Sequence, residues 1–246
     1  MKRTLFALII ALLFITGPLM SQKHLYFGVA GTGLSSWITN QNNYGLPFTM
    51  DYKTTFGGSG NANIGFDFNN HVGLKLEIGY AKLGQDYTDN RSDTAYTRNI
   101  KLNYLQVPLM FKYRTGGKVA KFYILVGPQF DFLLSATQKY YKHDQEYDLD
   151  FQPPKWPKSI LIGKSTITDR FSSMDIMGRL DLGVDINLGE HLFLNVGLTM
   201  AYGFLDINDA DFRVPDYSSN TYNASHNIYG GLNFGINYVI PVGASK

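Results

Sequence analysis

The feature that most constrains this chain is a period of two. From Leu25 onward, apolar residues alternate with polar residues or glycine in blocks, which is how a strand with one shielded face reads. In residues 72–80, Val72, Leu74, Leu76, Ile78 and Tyr80 fall on one side and Gly73, Lys75, Glu77 and Gly79 on the other. Residues 122–134 set Phe122, Ile124, Val126, Pro128, Phe130, Phe132 and Leu134 against Gly127, Gln129 and Asp131. Residues 176–188 set Ile176, Leu180, Leu182, Val184 and Ile186 against Arg179, Asp181, Gly183, Asp185 and Asn187. Residues 25–37, 62–68, 100–113, 192–204 and 228–240 complete eight strands, with Asn61, Asn63 and Asp67 on the polar side of the second. Residues 100–113 carry two conflicting apolar sets, Leu102/Tyr104 and Leu105/Val107/Leu109/Phe111, which a bulge near Pro108 would reconcile.

Connections alternate in length. Residues 69–71, 115–120 and 189–191 are short turns, whereas 38–52, 85–99, 137–174 and 208–225 are long. Short turns at one end and long loops at the other point to an all-β fold, an eight-stranded antiparallel up-and-down transmembrane β-barrel with periplasmic turns and extracellular loops. A soluble, lipocalin-like barrel would turn the apolar face inward. Several large apolar side chains per strand would overfill so narrow a barrel, while the opposite face carries Gly65, Gly73, Gly79, Gly127, Gly183, Gly197, Gly203, Gly231 and Gly235. The bulky face is therefore expected to meet lipid, with closure satisfying every strand edge. Trp37, Tyr80, Phe132, Tyr202 and Phe204 toward the loops, and Phe68, Tyr113, Phe122 and Tyr238 toward the turns, fit two interfacial belts.

The start of the chain reads as a targeting segment. Lys2 and Arg3 precede an apolar run from Leu5 to Ile15, Gly17-Pro18 breaks it, and Ser21 suits the residue before a cut. The run is too short for a spanning helix, which needs ~20 residues. The expected division is a removed signal peptide, 1–21, and a single barrel domain, 22–246. Loss of Lys2 and Arg3 brings the 22 basic residues level with the 20 acidic ones, so no nucleic-acid partner is favoured. With no cysteine, disulfides, thiolate metal sites and a lipidated anchor are excluded.

Asn103-Tyr-Leu-Gln-Val-Pro-Leu-Met-Phe-Lys-Tyr113 resembles the Tyr-Leu-(Glu/Gln)-(Ile/Val)-Pro-Leu strand of the PorT-type outer-membrane β-barrel family of Bacteroidetes. The aromatic strand that follows, with Gly127-Pro128 and then Leu133-Leu134-Ser135-Ala136, is similar in the matching place, as are Asp181-Leu182-Gly183-Val184-Asp185 and the closing hairpin. The resemblance implies a barrel in the outer of two membranes, with outer-membrane lipid and the barrel assembly machinery as partners. Some members resemble a component needed for protein secretion and gliding. Assembly signals usually end in an aromatic residue; here Tyr238 takes that place, with Pro241 and the tail Gly243 to Lys246 beyond it, expected in the periplasm.

No motif carries catalysis, a cofactor or a metal. His24, His71, His143, His191 and His226 show no zinc-ligand spacing. Gly31-Thr32-Gly33 and Gly57-Gly58-Ser59-Gly60 lack the Lys and helix of a phosphate loop and read as strand or rim glycines. Asp144, Glu146, Asp148 and Asp150 alternate in a loop without the glycine and terminal glutamate of a calcium hand. Inside the barrel, Lys75, Glu77, Asp131, Arg179, Asp181 and Asp185 form a candidate lumen network, either a paired plug or an ion path. Trp156, stiffened by Pro153-Pro154 and Pro157, is a candidate contact for an envelope protein or glycan. The leading expectation is a non-enzymatic envelope protein whose loops make contacts, linked to secretion or surface organisation. A small-solute or lipid carrier or narrow pore is the second reading, and a rim lipid hydrolase using Ser225 and His226 the third.

Overall fold

The computed structural model describes residues 23–40, 50–89, 96–115, 117–142, 145–146, 149–151, 160–162, 166–213 and 221–242; residues 1–21, expected as a signal peptide, lie outside them. Eight long strands form the body: β1 (Lys23–Ile38), β2 (Thr55–Asp67), β3 (Val72–Asp89), β4 (Tyr96–Arg114), β5 (Ala120–Lys142), β6 (Met174–Asn187), β7 (Leu192–Gly203) and β8 (Asn227–Val242). Each pairs antiparallel with its neighbour in sequence, and β8 pairs back onto β1 from Lys23↔Val242 to Ile38↔Asn227. The ring is closed, so around its body each strand edge finds a neighbour. Both ends of the ring's seam, Lys23 and Val242, lie at the end of the three tight turns. β8 runs through Pro241 to Val242, so the chain stays in the sheet past Tyr238.

A broad apolar band faces outward, including Phe27, Val29, Ile64, Leu74, Leu76, Ile78 (56% exposed), Leu109, Ile124, Val126, Leu198, Leu232, Phe234 and Ile236. Exposed apolar patches on soluble monomers rarely exceed a few hundred Å²; a girdle of this extent needs acyl chains against it. Aromatic residues mark its margins as the sequence indicates, with Phe68, Tyr113, Phe122 and Tyr238 exposed near the turns and Trp37, Tyr80, Phe132, Tyr202 and Phe204 near the loops. Three histidines reinforce these margins. His71 stacks on Tyr113, His191 on Tyr238 and His226 on Tyr202, and each ring Nδ1 is bonded to a backbone carbonyl.

Strand lengths are uneven. A tilted strand crosses a bilayer in ~9–11 residues, yet β3, β4 and β5 have 18, 19 and 23 residues, against 14 and 12 for β6 and β7. The excess stands beyond the loop-side margin as a three-stranded wall, extended by the short strand Met50–Lys53 paired to β3. Most of 85–99, expected as a loop, is therefore strand, as are Thr55 to Asn61, with Gly57 to Gly60, and Thr137 to Lys142.

This wall corrects the expected bulge near Pro108. β4 keeps one register with β3 on both sides of Pro108, and Leu102 and Tyr104 point inward while Leu105, Val107, Leu109 and Phe111 point outward. The apolar side changes because the solvent changes. Within the bilayer the outside is oily; above it the outside is water and the inside is the protein's own core. The actual irregularity lies on β5, where Asn103 pairs with Ser135 but Tyr104 with Leu133, leaving Leu134 extra. Below it Gln129 and Asp131 face in; above it Ala136 and Gln138 do.

Candidate functional site

The inward face of the ring builds three stacked layers. Nearest the turns, charged side chains from four strands assemble into two groups. In one, Lys75 Nζ lies 2.7 Å from Glu77, Glu77 2.9 Å from Arg179 Nη1, and Arg179 Nη2 2.8 Å from Asp181. Thr199 Oγ1 donates to Asp181 and Asn61 Nδ2 to Glu77. In the other, Lys112 meets Asp185 at 2.5 Å, and Arg114 meets Asp67 at 2.8 Å and Asp185 at 3.9 Å. Each group holds two cations and two carboxylates, so its formal charge is zero.

All eight groups are nearly sealed from solvent, with side-chain exposures of 7% or less. Unpaired charges at such depth would cost several kcal/mol each, which forces the pairing. The Lys112 ammonium gains further compensation from ring faces, 5.1 Å from Tyr26, 5.1 Å from Phe193 and 5.6 Å from Tyr123. Those rings lie over glycines of the neighbouring strands. A Cβ on Gly65 would sit 2.1 Å from the Tyr26 ring, and one on Gly183 or Gly197 2.6 Å from the Tyr123 hydroxyl. The remaining void here is about 10 Å³, room for about one water.

The middle layer is polar and neutral in its bonding. Asp131 accepts from Gln106 and Gln129, whose Oε1 accepts from the Tyr229 hydroxyl, and Asn227 donates to Asp175 and Tyr104. Asp131 is thus not joined to the ion pairs with which the sequence grouped it; its cross-strand neighbour is Asp175.

The outermost layer is apolar, which corrects the expectation that polar residues alone fill the lumen. Leu34, Ile38, Ala81, Leu83, Tyr87, Ile100, Leu102, Ala136 and Met177 converge there from the walls. Two loop segments close over them. Ile167 and Phe171 flank the 3-10 turn Thr168–Arg170, while Ile207 and Phe212 come from the segment holding the turn Ala210–Phe212. The segments bond to each other through Ser172 N–H to Ile207 O and Asp209 N–H to Arg170 O, and to β5 through Ile167 N–H to Ala136 O. Asp206 pins the rim by accepting from Tyr222, Arg213 and the backbone N–H groups of Asn208 and Ser225. Burial and the bond to Asp206 push the Tyr222 phenol above its ordinary range.

Lys75, Glu77, Arg179, Asp181 and Asp185 are therefore brought into the lumen's charged layer, and Asp131 into the layer above. Sequence reasoning put Asp67 on a polar face but left it, with Lys112, Arg114 and Asp175, out of the network. The first three alternate inward at strand ends, but the unresolved faces of residues 100–113 hid Lys112 and Arg114. Trp156, Asp144, Asp148 and His143 lie outside the described residues. Ser225 and His226 do not meet: Ser225 is buried and accepts from Asn208, while the His226 ring stacks outward on Tyr202. The two side chains face opposite ways, so they form no hydroxyl–base pair. Among the described residues no three His, Asp or Glu converge as a metal cage, and no helix is long and apolar enough to cross a membrane.

A closed ring, an oily girdle and a self-filled interior set the context for one further observation: the family model for the outer membrane protein beta-barrel domain matches residues 17–209. The chain belongs to that family. As a member, it is an integral protein of the outer membrane. No curated protein matches it. Among solved structures it is similar to Neisserial surface protein A, at 12% identity over 87% of this chain and 96% of that one, with a TM-score of 0.42. It is also similar to the attachment invasion locus protein Ail of Yersinia pestis (13% identity, 90% and 100% covered, TM-score 0.41). A major outer membrane protein from Thermus thermophilus gives 15% identity, 88% and 99% covered, and a TM-score of 0.47.

Proposed function

We propose that this family member is a closed, non-enzymatic barrel that anchors an extramembrane wall and loops for contact with an envelope protein or a glycan. The observation that carries this reading is the occupied lumen. Among the described residues, two charge-neutral clusters fill the turn side and a loop-stoppered apolar core fills the other. An ion path needs a ring of one sign or a lined aqueous passage, and neither fits groups that cancel within themselves. A closed barrel spends its structure on holding something in place, and what it holds is the wall of β3, β4 and β5 with the loops around it.

The PorT-type likeness supports placing the protein in surface organisation or secretion. Its signature Tyr104-Leu105-Gln106-Val107-Pro108-Leu109 spans the point where β4 passes from the wall into the bilayer, and Gln106 holds Asp131. Two measurements test the proposal. In planar bilayers the purified protein should show conductance near zero; large, steady single-channel currents would defeat it. On a glycan array, proteoliposomes carrying the intact chain should bind a ligand that a form trimmed of residues 143–159 does not. If the trimmed form, still folded by gel mobility, binds everything the intact one does, Trp156 and its loop have no such role.

A further inference from the structure

The outward face of the wall changes character within one residue pair of the loop-side margin. Below it, Tyr80 on β3, Leu105 on β4, and Phe132 and Leu134 on β5 end the oily band. Immediately above, the outward positions are Lys82 on β3 and Asn103 and Lys101 on β4, with Ser135, Thr137 and Lys139 on β5. Lys82 stands opposite Asn103, and Lys101 opposite Gly84 and Thr137. The two lysines are thus diagonal neighbours, with Cβ atoms about 7–8 Å apart, and Gly84 places no side chain between them.

The floor beneath them is fixed. The Tyr80 hydroxyl donates to Asn103 Oδ1 at 2.7 Å, and Asn103 Nδ2 donates to Ser135 Oγ at 2.9 Å. Both lysines are exposed, and among the described residues neither ammonium has a hydrogen-bond or ion-pair partner. Two carboxylates share this face higher up: Asp86, one pair above, accepts from Asn99 and faces Lys53, and Asp51 stands opposite Thr88. The local balance is cationic. Elsewhere on the ring the loop-side margin carries Trp37, Met174, Tyr202 and Phe204.

A pair of ammonium groups seated directly on an apolar wall, at the depth where headgroups meet hydrocarbon, matches an amphiphile rather than a free anion. Cations close to an anionic membrane surface each contribute attraction that falls off within a Debye length. We propose that Lys82 and Lys101 bind the phosphate of a phosphorylated outer-leaflet lipid whose acyl chains lie against Tyr80, Leu105 and Phe132. Asn103, held between Tyr80 and Ser135, positions the floor of that site.

The test uses the full chain folded into phosphatidylcholine nanodiscs doped with lipid A carrying two phosphates or with its dephosphorylated form. Lipid retained on the protein is counted by native mass spectrometry after extraction. The phosphorylated form should be retained at least about tenfold better. The variant Lys82→Gln/Lys101→Gln should lose that preference, while Lys23→Gln/Lys118→Gln, at the turn end, should keep it. All three proteins should show the same heat-dependent gel shift, since the substituted side chains are exposed. Equal retention of the two lipids by the unmodified protein, or an unchanged preference in Lys82→Gln/Lys101→Gln, overturns the proposal. So does full displacement by millimolar inorganic phosphate, which would make the site one for free anions.

Discussion

Arg179 is the side chain on which most of the charged layer turns. It binds Glu77 and Asp181 on opposite sides of its guanidinium and also donates to Thr199. Removing one member of a buried ionic group costs about 3–5 kcal/mol because its partners stay behind. Arg179→Ala should therefore lower the temperature at which the barrel loses its fast gel mobility, with bilayer conductance still near zero. Arg179→Lys should recover only part of the loss, since an ammonium cannot reproduce the fork. A second residue-level test concerns backbone rather than charge. Gly84 has φ of 146°, and a Cβ there would lie 2.0 Å from the Ile100 carbonyl oxygen, whereas nothing lies within 4 Å of one on Gly33. Thermal melting followed by circular dichroism should show Gly84→Ala clearly destabilised and Gly33→Ala close to wild type.

At the scale of the strand, alternation alone revealed every crossing segment but not where each stopped. The inside–outside assignment held wherever the outer solvent is lipid, as in residues 72–80 and 176–188, because large apolar and small or charged residues separate cleanly there. It faltered where strands leave the bilayer. Leu83, Tyr87, Ile100 and Leu102 are apolar and inward, while Lys82 and Lys101 are polar and outward, so the same periodicity carries the opposite meaning. The loop-borne stopper was illegible for another reason: Ile167, Phe171, Ile207 and Phe212 are short-range irregular in sequence and acquire their burial from one another. The inversion predicts contrasting substitutions on adjacent residues. Leu102→Ala should cost about 2–5 kcal/mol, as for other buried leucines, and Lys101→Ala should stay within about 0.5 kcal/mol. Urea unfolding from lipid vesicles distinguishes the two; equal effects would contradict the wall's buried inner face.

For the whole molecule, closure and filling make folding all-or-none in a way that gels report directly. The unboiled protein should migrate faster than the boiled form, and a form trimmed of residues 143–165 should keep that shift, because β5 and β6 remain joined along their length from Phe132↔Met174 to Ala120↔Ile186. Phe171→Ala/Ile207→Ala, by contrast, should lower the midpoint of the shift, since both rings of contact lie in the outer core. Loss of insertion on trimming would mean that the excised segment takes part in assembly.

The unequal strand lengths have a consequence in the plane of the bilayer. With a tall side at β3 to β5 and a low side at β6 and β7, the molecule has a heading, and each turn about the membrane normal sweeps a raised, positively charged flank past its surroundings. Neighbours arriving from different compass points meet different objects: a parapet from one bearing, bare oily staves from the other. Crowded together, such bodies should pack with preferred azimuth, so that lateral order in a patch of membrane is written into the heights of its staves.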